Sequence, residues 1–340
     1  MQQKPLIIPV FMPQEGCQHR CVYCDQATIS GVSHPAWSTR SIRNHVKRYL
    51  GGSSRYPVQV AFYGGSFTLL PEASQRRFLE SVQHFLKRDR VDSIRLSTRP
   101  DGIETNNLRF LQSLGVKTVE LGAQSLCDRV LCASARGHSS AQVYEAALLL
   151  KQHGFEWGLQ LMPGLPGDSL ETFCQTVEKS ITLSPDFVRL YPTVVLAGTP
   201  LERLYRLGSY RPLSLPTAVA WCKEAKNRFD RAAVPIIRMG LQPTASLDRS
   251  GRIVAGPHHP AFGQLVKSAI WYDRISPALE RARRRSQNLI IHAPPSDLAD
   301  IRGHRNANIK EWVDTLQLAS LQTTSCARTG SENFTVAAQQ

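Results

Sequence analysis

The chain has 340 residues, 42% of them apolar, with 41 Lys and Arg against 27 Asp and Glu for a formal net charge of +14. That length can bury one large core or two smaller ones, and apolar runs such as Ala146–Leu150 are far too short to span a bilayer. The N-terminal stretch lacks the charged-then-apolar pattern of an export signal. Eight cysteines, three of them clustered, therefore read as those of a reduced, cytoplasmic protein rather than a disulfide framework.

In chain order, short apolar and β-branched runs predict strands at Leu6–Met12, Val58–Tyr63, Ile94–Thr98, Val119–Ala123, Gly158–Met162 and Val188–Tyr191. Between them lie stretches of helical period. In Ser139–His153, for example, Val143, Ala146, Ala147 and Leu150 form one stripe. Six strand–helix units in series imply an α/β fold with a parallel sheet and right-handed crossovers. The segments that stand out chemically all fall just after predicted strands: Cys17–Cys24 after the first, Gly64–Phe67 after the second, Ser97–Asp101 at the end of the third, Gln124-Ser125 after the fourth and Pro163–Gly167 after the fifth. In α/β barrels that rim is where reactive groups collect.

Cys17, Cys21 and Cys24 form a C-x3-C-x2-C run. Three thiolates at this spacing can hold three corners of a [4Fe–4S] cluster and leave the fourth iron open, whereas ferredoxin-type runs use four and close it. The next cysteine is Cys127. A zinc site is the competing reading, but structural zinc takes four ligands in paired sets and only His19 lies nearby.

The triplet, with Tyr23 directly before its third cysteine, resembles the radical S-adenosylmethionine (radical SAM) superfamily. The resemblance implies an incomplete, TIM-like (β/α)6 barrel with a small α/β C-terminal extension. It also implies that SAM occupies the open iron and is cleaved reductively to a 5'-deoxyadenosyl radical, so a reducing electron donor is required. Tyr23 is then suited to the adenine and Gly64-Gly65 to close backbone approach to the methionine ammonium. The superfamily carries a Gly-Gly-Glu-like motif at this place. Here Ser66 replaces the acid, which leaves the ammonium to backbone or hydroxyl groups. Thr98, Arg99, Gln124 and Arg136 are suited to the SAM carboxylate and ribose. Cys17, Cys21 and Cys24 are the expected cluster ligands.

A narrower resemblance rests on Ser97–Asp101, Val119–Ser125, Arg136–Ser139, Leu161–Pro166 and Leu190–Thr199, which look like consecutive motifs of the catalytic subunit of Elongator. That family's best-known member modifies wobble uridine in tRNA with the help of an acetyltransferase domain. Two departures matter. The spacing of the first two cysteines is the short, bacterial type, and the residues after the barrel are too few for an acetyltransferase fold. The expectation is the radical SAM part alone, acting on RNA, with tRNA first. The alternative is a small molecule or a tetrapyrrole.

The basic balance favours a polyanionic partner. Leu201–Arg252 holds ten Lys and Arg against four Asp and Glu, and Arg281–Arg285 adds a dense block. Both are candidate RNA-docking segments. Beyond them, His258-His259 reads as a pair of loop histidines. Asp297–Lys310 faintly resembles the Ile-Gly-x-x-Gly-x-x-Ile centre of a KH module, with Asn306 where the second glycine belongs. The expected divisions are a core barrel over 1–235, an extension over 236–321 that is a candidate RNA binder, and a disordered tail over 322–340.

Overall fold

The computed structural model describes residues 5–31, 37–51, 56–242, 244, 247, 251–326 and 333–338. Two compact units emerge from the packing: 1–214 with 225–258, and 215–224 with 259–340.

In the first unit the expected strand–helix alternation is present. It runs β1 (Leu6–Phe11), α1 (Gln26–Ser30), α2 (Thr39–Tyr49), β2 (Val58–Tyr63), α3 (Glu72–Leu86), β3 (Ser93–Thr98), α4 (Thr105–Ser113) and β4 (Val116–Gln124). The chain continues through α5 (Asp128–Ala133), α6 (Ser140–Gln152), β5 (Glu156–Leu161), α7 (Leu170–Thr182), β6 (Phe187–Leu190), β7 (Val195–Leu196), α8 (Pro200–Arg206), α9 (Leu215–Arg231), β8 (Ile236–Met239) and β9 (Ile253–Ala255). Residues 215–224 of α9 belong to the second unit. Local chemistry sets the helix starts. Ser139 and Gln142 cap each other at the start of α6, and Ser169 and Thr172 do the same for α7. The stripe expected on α6 is the face that is buried: Val143, Ala146, Ala147 and Leu150.

The sheet order is β1-β2-β3-β4-β5-β6-β8, and every pairing is parallel. It has seven strands rather than the six read from the sequence. Residues 236–239 pair beside β6, and β9 pairs antiparallel with β7, so the barrel unit runs to 258 and not to 235. Ile236–Met239 is short and carries Arg238, so its apolar signal was too weak to mark a strand.

Strand alternation sorts the side chains. Val60, Phe62, Ile94, Leu96, Val119, Leu121, Leu159 and Leu190 are buried on one face, where Phe62 meets Phe78 of α3 with ring centres 6.3 Å apart. The opposite face carries charge. Glu120 of β4 takes hydrogen bonds from Arg95 of β3 (2.9 Å), Tyr63 of β2 (3.2 Å) and Arg189 of β6 (3.0 Å). Arg189 also donates to the Tyr63 hydroxyl at 3.0 Å. In a flat sheet strands four places apart would stand about 19 Å apart, so this contact is possible only because the sheet curls. The result is a half-barrel with a polar interior.

The second unit contains α10 (Phe262–Arg283), β10 (Asn288–Ala293), α11 (Leu298–Arg302), α12 (Ala307–Leu316), β11 (Ser320–Ser325) and β12 (Thr335–Ala338). β10 is central, parallel to β11 and antiparallel to β12. Its core is built around Trp312, which stacks on Tyr272 at 5.1 Å and donates to Ser276 at 2.8 Å. The disordered tail expected from 322 is not what the described residues show. Gln322–Ser325 and Thr335–Ala338 pair with β10, whose backbone groups supply the order that their composition lacks. Between α11 and α12 the chain turns at Gly303 (φ 76, ψ 165), and Asn306 stands in the left-handed region (φ 61). Asn tolerates that region better than most residues, so the missing second glycine does not prevent the turn. No described helix is long and apolar enough to cross a membrane.

Because Glu120 neutralises the buried Arg95 and the half-buried Arg189, Glu120→Ala leaves Arg95 with only the 3.8 Å contact to Glu156 and removes the acid that pairs Arg189. It is expected to lower stability by about 3–5 kcal/mol in urea titration, while Leu148→Ala, on the exposed side of α6, is expected to change it little.

Candidate active site

The cysteine run occupies the loop after β1, at the C-terminal rim of the half-barrel. Its path is held by backbone bonds to several elements. Ser66 N–H donates to the Glu15 carbonyl (2.8 Å), Val22 N–H to Ser134 (3.1 Å), and Leu201 N–H back to Val22 (2.8 Å). Within the loop, Cys17 N–H donates to Gln14 and Cys24 N–H to Cys21. Asp25 then caps α1 by accepting from Thr28.

The glycine pair after β2 acts first on this loop. Gly65 has φ +63, and a Cβ there would lie 2.1 Å from the Glu15 carbonyl oxygen; at Gly64 (φ +80) it would lie 3.3 Å from that of Met12. Gly16, at φ +72, would press a Cβ to 2.3 Å from the Ser66 carbonyl. The two segments interlock without side chains between them. Gln26 fixes the joint by accepting from Gly65 N–H at 2.7 Å and from Gln14 N–H. Ser66 is fully buried and its hydroxyl lies 3.6 Å from Cys17 Sγ.

Arg136 is the central cation. One arm donates to Cys21 Sγ at 3.2 Å and the other to the Gly122 carbonyl of β4, and the side chain is buried. Burial works against its charge, but Tyr23 and Cys21 beside it more than offset that and raise its pKa. Burial also pushes the Cys17 thiol up and, with the neighbouring Cys21 and Cys17, takes Cys24 up to about 12. Tyr23 is raised well above its usual value, mainly by burial. His138 lies against the same cation. Burial first, then Arg136 and Arg99, hold its imidazole down at about 3, so it is neutral.

The other expected residues divide. Gln124 stands at the end of β4 in the left-handed region (φ 68), at a register shift in the β4–β5 pairing, and accepts from Gln160 at 3.2 Å. A non-glycine residue held there carries local strain of the kind found at functional sites. Arg99 is buried and doubly bonded to Asp101 (2.8 and 2.7 Å), which leaves Nη1 without a partner. Thr98 is bonded to Thr68 at 2.6 Å and buried, so it braces the rim from behind. His138 and Gln26 were not singled out from the sequence. Each is a lone polar residue, and only the folded chain shows its neighbours.

Orphaned polar atoms collect here: Arg136 Nε and Arg99 Nη1 are buried without a partner, while the Tyr23 hydroxyl has only a poorly aligned contact with Cys21 and the His138 ring one with the Ala123 backbone. Such groups are costly unless a polar ligand meets them. Among the described residues no three His, Cys, Asp or Glu side chains converge on a single ion. Three thiols on one loop, one of them bonded to the Arg136 guanidinium, are a donor set of the chemistry that holds an iron–sulfur cluster.

The interlock sets a clear expectation for Gly65→Ala. The left-handed backbone costs about 1–2 kcal/mol, and the clash with Glu15 adds to it. A lowered melting temperature and faster proteolysis within residues 15–26 are expected, with Gly154→Ala, which meets nothing within 4 Å, as the milder control.

Comparison with known proteins agrees with the geometry. The radical SAM superfamily model matches residues 11–179 and the Radical_SAM C-terminal domain model matches 185–272. A tRNA uridine(34) acetyltransferase of Methanocaldococcus infernus is 32% identical over 263 residues, 65% of this chain and 49% of that protein. One of Dehalococcoides mccartyi is 35% identical over 230 residues, 58% of this chain and 50% of that protein. The chain thus spans about half the length of these relatives. Among solved structures, the Elp3 of Methanocaldococcus infernus superposes with a TM-score of 0.62 at 21% identity, covering 79% of this chain and 63% of that one, a likeness of fold. Members of the matched superfamily bind a [4Fe–4S] cluster and SAM. The chain belongs to the radical SAM superfamily, as an enzyme related to the Elongator catalytic subunit.

Proposed function

We propose that Cys17, Cys21 and Cys24 hold the [4Fe–4S] cluster, that SAM is bound on the same rim, and that the radical formed is used to modify tRNA. The observation that carries this reading is the contact of Arg136 with Cys21 Sγ at the mouth of a polar half-barrel, among orphaned polar atoms. Support for tRNA comes from the relatives, which are tRNA uridine(34) acetyltransferases, and from the net positive charge. When bound, the cluster and SAM supply a 5'-deoxyadenosyl radical.

The chain's own residues have separable tasks. The cysteines bind iron as thiolates, although burial favours the neutral thiols of Cys17 and Cys24. Metal coordination reverses that preference, and the Arg136 cation offsets the added negative charge. Tyr23 and the apolar cluster of Val130, Leu165, Val195 and Leu201 beside Cys21 exclude water from one side of the loop. Neutral His138, Arg99 Nη1 and Gln124 offer polar groups toward a carboxylate or ribose. The Ser66 hydroxyl lies against Cys17 Sγ, and the ammonium contact falls to backbone or hydroxyl groups of the Gly64–Ser66 turn.

Anaerobic reconstitution is expected to load close to four irons per chain, lost when Cys17, Cys21 and Cys24 all become Ala. Cys127, Cys132, Cys174, Cys222 and Cys326, none of them in a disulfide, are expected to be dispensable. Equal iron in the triple variant would overturn the cluster assignment. Dithionite-reduced protein is expected to yield 5'-deoxyadenosine, and nucleoside mass spectrometry of tRNA from a deletion strain to show a missing modification. Deoxyadenosine with unaltered tRNA would redirect the substrate to a small molecule.

Arg136→Met is expected to keep the fold but lower deoxyadenosine formation by roughly 10–100-fold, the usual cost of losing a group that hydrogen-bonds a metal ligand, here Cys21. Arg136→Lys retains the charge without the two-armed bridge and is expected to recover only part of it.

A further inference from the structure

α2 and α3 lie against each other on the outside of the half-barrel and bring together cations that neither helix needs. α2 reads TRSIRNHVKRY: it buries Ile42 and Val46, exposes Arg40, Arg43, Lys47 and Arg48, and carries no acid. Lys47 and Arg48 suit the negative end of the helix dipole. Arg40 and Arg43 do not, because they sit near the end where acids are favoured. The charge on α2 is therefore not explained by the stability of α2.

α3 continues the patch. Arg77 on α3 and Arg88 just past its end are exposed, with Glu80 and Asp89 as the acids among them, while Glu72 is tied to Arg76 at 2.9 Å. His84, on the exposed side of α3, is held below its usual imidazole range by Arg88 first, with smaller contributions from Arg43 and Lys47. Cations of both helices thus converge on one place, and Arg90 donates to the Leu50 carbonyl where the helices end (2.9 Å). Along α2 runs an aromatic ladder: Trp37 edge-on to His45 at 5.4 Å, then His45 to Tyr49 at 5.1 Å, with Tyr49 47% exposed.

At its upper end the stripe opens into a cleft lined by Arg40, Arg77, Trp37 and Glu15. Glu15 stands two residues before Cys17, on the loop that carries the cysteines. The stripe, about 16 Å long along α2, is therefore continuous with the candidate active-site rim.

We propose that the α2–α3 face, with Arg40, Arg43, Lys47, Arg77 and Arg88 around the Trp37–His45–Tyr49 ladder, is a docking surface for the phosphate backbone and unpaired bases of the RNA substrate. Trp37 and His45 are half-buried and bonded to the Phe11 and Pro9 carbonyls of β1 (2.7 and 2.8 Å), so they brace the exposed Tyr49 ring. Cations around an exposed ring are what a single-stranded segment of RNA uses, phosphates on the former and a base face on the latter. The inference rests on the RNA reading above but concerns a surface distinct from Leu201–Arg252 and Arg281–Arg285.

The test is filter binding of unfractionated tRNA to the wild-type chain and to the triple variant Arg43→Glu, Lys47→Glu, Arg88→Glu, across roughly 50–200 mM salt. A fall in affinity of at least about tenfold is expected, with a log–log salt slope shallower by about 2–3 for three lost contacts. Tyr49→Ala is expected to weaken binding by roughly tenfold through lost stacking. The corresponding Gln triple variant, checked by circular dichroism, is expected to show a smaller loss in the same direction and guards against misfolding by reversed charge. Deoxyadenosine formation without RNA is expected to be unchanged in every variant. Wild-type affinity and slope in both folded triple variants would overturn this surface and leave the proposed function standing. A wild-type chain that does not bind tRNA would overturn both, and binding to phosphatidylserine vesicles in its place would assign the face to a membrane.

Discussion

The half-barrel depends on the charged tie across its interior. Glu120 on the central strand meets Arg95 from one side and Arg189 from the other, and Arg189 reaches the Tyr63 hydroxyl three intervening strands away. Parallel strands pack on both faces, and most such sheets fill the inner face with aliphatic side chains. Here that face is polar. A curled sheet with a hydrated or ligand-filled interior needs its charges paired among themselves, because an unpaired guanidinium in such a place is strongly unfavourable. The same pairing fixes the curl, and the curl sets the spacing of the loops at the rim.

On that rim the cysteine loop and the turn after β2 are one unit. Gly16, Gly64 and Gly65 all have positive φ and lie against backbone, and at Gly16 and Gly65 there is no room for a Cβ. The loop is thus positioned by main chain from three segments, at Ser66, Ser134 and Leu201, and not by side-chain packing alone. Arg136 ties this assembly to β4 through Gly122, whose own lack of a side chain admits the guanidinium: a Cβ there would lie 2.9 Å from Arg136 Nη2. Gln124, strained two residues further along the same strand, completes a region in which local backbone preference yields to the site.

The second unit follows a different logic. β10 pairs on both edges, and its two neighbours arrive from a polar, Ser- and Thr-rich stretch that composition assigns to disorder. Order there comes from a partner strand and not from apolar content. The turn at Gly303–Asn306 makes the same point on a smaller scale, since Asn306 takes the conformation for which a glycine was expected.

The sequence by itself determined the strand–helix alternation, the parallel sheet and the place of the reactive loop. Period, branching and spacing act over a few residues and survive without knowledge of neighbours. Six of the seven sheet strands, the buried stripe of α6 and the cysteine triplet were legible for that reason. Tertiary structure alone decided what those residues touch. It added Ile236–Met239 as a seventh strand, turned Ser66 to Cys17 and Thr98 to Thr68, and put His138 under the influence of two arginine charges. These outcomes depend on contacts between segments far apart in the chain, where burial and the direction of a side chain are settled by packing that no local pattern encodes.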